Sequence, residues 1–100
     1  MSFDVSGKRV VVTGASRGIG LAVARAFVSA GATVAILAER EEVFAAAAEL
    51  GRESGSTVTP IHCDVTDRAR LKAALRELGV IDVLVANAGT GDITLSLIHI

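Results

Sequence analysis

Three glycines in the stretch Thr13-Gly14-Ala15-Ser16-Arg17-Gly18-Ile19-Gly20 carry the strongest chemical signal in this chain. They follow the apolar run Val10-Val11-Val12 and open a helical pattern that continues to about Ala30. A strand that runs through glycines into a helix start is suited to holding an anion. Without a Cβ the backbone can turn with φ > 0 and come close to a ligand. The first helical N–H groups have no intrahelical partner and carry the positive end of the helix dipole. A pyrophosphate placed there is both hydrogen-bonded and neutralised. The phosphate-binding loop of nucleotide triphosphatases is excluded, because no Lys-Ser/Thr pair follows Gly18 or Gly20.

Two further motifs, Asp64-Val65 and Asn87-Ala88-Gly89, each end a predicted strand. The elements that must position all three read as alternating strands and helices. Residues 9–13 form a β-branched strand ended by Gly14. From Ile19 the residues Ile19, Ala22, Val23, Ala26, Phe27 and Ala30 follow helical spacing, which predicts that this face packs on a sheet, and Gly31 ends the helix. A second strand spans 33–37, a second helix 41–53 and a third strand 58–63, whose Pro60 argues for a sheet edge. Thr66 or Asp67 caps a third helix with the stripe Leu71, Ala74, Leu75 and Leu78, and 81–86 is the fourth strand. This order predicts an α/β fold with parallel strands and right-handed crossovers. Strand one sits beside strand four, with strand three outside strand two, so all three motifs converge above the carboxyl ends of the strands.

The composition fits that plan. One hundred residues make one domain at most, and 51% hydrophobic residues with 3% aromatic imply an aliphatic core. A net charge of −1 offers no basic stripe for nucleic acid or an anionic membrane. The single cysteine, Cys63, excludes an internal disulfide and a cysteine metal cluster, and with His62 it reads as a strand residue rather than a reactive group. No signal peptide or membrane-length apolar stretch is evident, so a cytoplasmic location is expected.

Together these motifs resemble the short-chain dehydrogenase/reductase family over residues 3–89, in the glycine spacing Gly-x-x-x-Gly-x-Gly of that family. The resemblance implies a Rossmann-like doubly wound sheet, cut off after about four strands and three helices. It also implies an oxidoreductase that moves hydride between a nicotinamide cofactor and a small alcohol or carbonyl substrate. On this reading Gly14, Ser16, Gly18, Ile19 and Gly20 form the loop around the pyrophosphate. Asp64 accepts from the adenine amino group and the Val65 N–H meets the ring; alternatively, Asp64 only caps the helix near Asp67. Asn87, Ala88 and Gly89 form the turn beneath the adenosine ribose, with Asn87 also tying adjacent strands together. Ala86 stands where many relatives carry a second asparagine. The acidic residue that selects NAD falls on Ala38 in this register, with Glu39 one beyond. Arg17 matches a position where the family uses a basic side chain for a 2′-phosphate, and Arg40 could assist, which favours NADP(H) over NAD(H). Solvated surface charge is the competing reading of both arginines.

The family's catalytic Tyr-x-x-x-Lys has no counterpart, since the chain contains no tyrosine, and the chain by itself is expected to be inactive. Residues 1–89 therefore read as the N-terminal part of an NAD(P)-binding domain, and 90–100 as an atypical tail. Leu95-Ser96-Leu97-Ile98-His99-Ile100 resembles the translation of a sequencing-library adapter, so His99 is not counted as catalytic. Without a fifth strand the apolar edge of strand four is expected to lie open. The whole protein is expected to be a homo-oligomer. A sensor that binds the dinucleotide without turnover and a fragment without function are the alternatives.

Overall fold

In a computed structural model of the chain, residues 4–87 and the backbone of 93–97 are described. The strands β1 (Arg9–Thr13), β2 (Thr33–Ala38), β3 (Thr59–His62), β4 (Val83–Asn87) and β5 (Ile93–Leu97) alternate with α1 (Gly18–Ser29), α2 (Glu42–Ser54) and α3 (Arg68–Leu78) up to β4. They form one sheet in the order β3-β2-β1-β4-β5. The first four strands are parallel, with Val12 opposite Ile36 on one side and Val85 on the other. Pro60 lies on β3 at the sheet edge, as its missing N–H requires.

The central strands read as unbroken apolar runs because both faces are covered. Val10 and Val12 face one side with Val34, Ile36, Val83 and Val85, beneath Ala24 and Val28 of α1 and Val43, Ala47 and Leu50 of α2. Val11, Ala35 and Ile81 face the other side, against Leu75 and Leu78 of α3. The chain thus steps outward from β1 to β3 with helices on one face. It then reverses to β4 with a helix on the opposite face, which opens a crevice between the ends of β1 and β4.

Two expectations need correction. The inward face of α1 is Gly20, Ala24 and Val28, with Leu21, Val23 and Phe27 beside it, while Ile19 is 53% exposed. The stripe is one position away from the predicted one because Gly20 abuts the end of β1 and fixes the rotation of the helix. An alanine-rich sequence satisfies either template. The edge of β4 is also not open. Residues 93–97 lie antiparallel along it, Val85 opposite Leu95, giving a fifth strand where four were expected.

Candidate functional site

The site begins where β1 ends. Gly14 turns with φ 63°, and a Cβ there would stand 2.9 Å from the Asn87 carbonyl oxygen. Gly20 is tighter still: a Cβ would collide with the Gly14 carbonyl and lie 2.7 Å from Asn87 Nδ2. Asn87 closes this corner by donating from Nδ2 to the Gly14 carbonyl at 3.2 Å. Its backbone N–H donates to Thr13 Oγ1 at 3.0 Å, and that hydroxyl donates in turn to the Val85 carbonyl at 3.5 Å. The expected tie between β1 and β4 is therefore present. The part played by Thr13 was not legible, since a threonine ending a strand is ordinary.

Gly18 is different. It has φ 63°, yet a Cβ on it would meet nothing within 4 Å. The space it leaves is open and lies at the start of α1. Arg17, at the cap position, is extended and makes no side-chain cap bond, and no acidic residue occupies the first turn. By contrast, α3 is capped by Asp67, whose Oδ1 accepts from the Arg70 N–H at 3.2 Å. The positive end of α1 thus has no side-chain acceptor of its own and faces a hollow of about 390 Å³. Gly14, Ser16, Arg17, Gly18 and Ile19 from the turn into α1 line it together with Ala38, Glu39 and Arg40 from the end of β2 and Asn87 from the end of β4. Ala38 ends β2 and is buried, so the wall at that point is small and apolar. Arg40 pairs with Glu42 at 3.6 Å, both side chains being about half exposed.

Asp64 and Val65 follow β3 and do not line this hollow. Asp64 Oδ1 accepts from both the Thr66 N–H at 2.9 Å and the Thr66 hydroxyl at 2.7 Å. These two bonds hold its pKa below the ordinary carboxylate value. Asp64 therefore shapes the turn before α3, while Asp67 is the cap, the second of the two predicted candidates. Val65 is 51% exposed. Ala88 and Gly89 lie outside the described residues. Cys63 is buried, with its thiol on the Asp64 carbonyl at 3.4 Å, and fits its reading as a small core residue. Among the described residues no group of three or more His, Cys, Asp or Glu could hold a metal ion, and no helix is long and apolar enough to cross a membrane.

A glycine turn, an uncapped helix start and an arginine-flanked hollow suit a phosphate-bearing ligand of extended shape. The family model of short chain dehydrogenases matches residues 8–98. The chain belongs to the short chain dehydrogenase family. Among its relatives, a glycine betaine reductase of Emericella nidulans is 48% identical over 89 residues, which are 85% of this chain and 7% of that protein. A sorbose reductase of Candida albicans is 42% identical over 91 residues, 87% of this chain and 32% of the relative. In three dimensions the L-sorbose reductase of Gluconobacter frateurii, solved with NADPH and L-sorbose, superposes with a TM-score of 0.80 at 36% identity, over 90% of this chain and 37% of that one. The chain thus spans well under half the length of these family members.

Proposed function

We propose that this chain is the cofactor-binding part of an NADP(H)-dependent oxidoreductase acting on a small alcohol or carbonyl compound. The observation that carries the reading is the open start of α1: Gly18 leaves a space that any side chain would fill, and no residue caps the helix. A dinucleotide pyrophosphate fits that cradle, with the N–H groups of Gly18, Ile19 and Gly20 available to it. When bound, the nicotinamide supplies the hydride. Ile19, exposed beside the cradle, gives the ligand an apolar contact. Asp64 and Val65 are assigned to adenine and Asn87, Ala88 and Gly89 to the ribose turn, as in the family.

Preference for NADP(H) rests on Arg17 and Arg40, both of which line the hollow, and on Ala38 where an acid would repel a 2′-phosphate. Glu39 lines the hollow too, and Arg40 has to turn from Glu42 toward the ligand. That exposed pair is worth only about 0–1 kcal/mol, so a phosphate dianion can displace the carboxylate. The Gluconobacter enzyme, solved with NADPH, supports the same choice. Arg17→Ala should weaken NADPH more than NADH by about 1–3 kcal/mol, the value of a charged hydrogen bond. Calorimetric titration of both cofactors measures this, and equal losses would remove the NADP(H) assignment.

A further inference from the structure

We infer that His62 is a positioning residue for cofactor choice, holding in place the loop through which Glu39 and Arg40 face the 2′-position of the adenosine ribose. The inference rests on the dinucleotide reading given above.

The parallel ladder between β2 and β3 ends at Ala38, opposite His62, with a last backbone bond from the Cys63 N–H to the Ala38 carbonyl at 3.0 Å. One residue later the chain leaves the sheet, and no strand N–H is available to the Glu39 carbonyl. His62 takes over that bond with its side chain, donating from Nε2 to the Glu39 carbonyl at 2.9 Å. A carbonyl can only accept, so Nε2 carries the proton and the bond survives in either charge state of the ring. The same ring packs edge-on against Phe44 in the first turn of α2, with centroids 5.7 Å apart and planes at 76°. His62 therefore grips the loop at both ends, its entry at Glu39 and its exit at Phe44. Its own backbone is braced from α3, since Arg70 Nη2 donates to the His62 carbonyl at 2.9 Å.

Between those ends the loop has only local turns, Val43 N–H to the Arg40 carbonyl and Phe44 N–H to the Glu41 carbonyl, both at 3.1 Å. Glu41, at the start of α2, makes no side-chain cap bond. Among the described residues, His62 is thus the side chain that hydrogen-bonds this loop to the sheet, while Val43 packs its far end into the core. The tie matters for choice between cofactors more than for binding as such, because the glycine turn at the start of α1 is a separate segment of the hollow's lining.

The test uses the full 100-residue chain and two probes, 5′-AMP and adenosine 2′,5′-bisphosphate, titrated by NMR. The wild-type chain should prefer the bisphosphate. His62→Phe keeps the ring contact with Phe44 and loses the donor; its preference should fall about three- to tenfold, with 5′-AMP affinity unchanged. His62→Gln restores a donor and should recover most of the preference. Phe44→Ala, which frees the ring, should lower it in the same direction. A wild-type preference that survives intact in His62→Phe and Phe44→Ala overturns the positioning role and leaves the cofactor assignment standing. Loss of affinity for both probes alike also overturns it. A wild-type chain that does not distinguish the two probes overturns the cofactor reading itself, and this inference with it.

Discussion

Gly18 and Gly20 stand two residues apart and do different work. Gly20 is held by packing: any Cβ strikes the Gly14 carbonyl and crowds Asn87 Nδ2. Gly20→Ala should therefore destabilise the fold, by about 1–3 kcal/mol as an overpacked contact against backbone. Gly18 is held by conformation and by the space above it. Gly18→Val places a β-branched residue at φ 63°, at a cost of about 1–2 kcal/mol, and fills the cradle. Its expected signature is abolished NADPH binding, a loss far exceeding its effect on stability. Urea unfolding and cofactor titration on both variants check the contrast, which fails if Gly18→Val binds NADPH normally. Spacing alone marked all three glycines as a turn at a helix start. It could not say which was enforced by a neighbour and which faced open space, because that depends on where Asn87 arrives, 73 residues beyond Gly14. The His62 bond was equally hidden, since its acceptor is a backbone carbonyl that any residue type could supply.

At the scale of elements, α3 has the weakest hold. None of its residues is fully buried, and its start depends on the Asp64–Asp67 turn and the Asp67 cap. The Asp64 carboxylate has a lowered pKa because it accepts two bonds from Thr66. A lowered folded-state value means the unfolded chain takes up the proton first. The stabilising contribution is therefore complete above the ordinary aspartate range and is lost as the pH falls through the lowered value. An NMR titration of the Asp64 carboxyl should give a midpoint below that of a free aspartate, and Thr66→Val should raise it. A midpoint unmoved by Thr66→Val would refute the assigned cause. The elements themselves were largely legible. Strand order followed from the alternation of strands and helices, the edge place of β3 from Pro60, and the half-buried α3 stripe from its leucines. The face of α1 was not, since Ala22, Ala24 and Ala26 are chemically alike and only contact with Gly14 chooses among rotations.

For the whole molecule, the consequence of β5 is that the open edge has moved rather than vanished. Among the described residues, Ile93–Leu97 covers β4 and is itself the last strand of the sheet. The sequence Ile-Thr-Leu-Ser-Leu carries neither charge nor proline, the usual protections of an edge. The purified chain should associate with rising concentration, and a Thr94→Lys, Ser96→Lys double variant should reduce this. Light scattering coupled to size exclusion checks it, and a wild-type chain that stays monomeric across the concentration range overturns it. At the opposite side of the sheet the chain carries a native reporter. Cys63 is its one thiol, 2% exposed and lodged between the edge strand and the turn that begins α3. An alkylating reagent can reach it only when that corner opens. The rate of labelling therefore works as a clock for local opening beside Asp64, readable by mass spectrometry without adding any probe to the sequence.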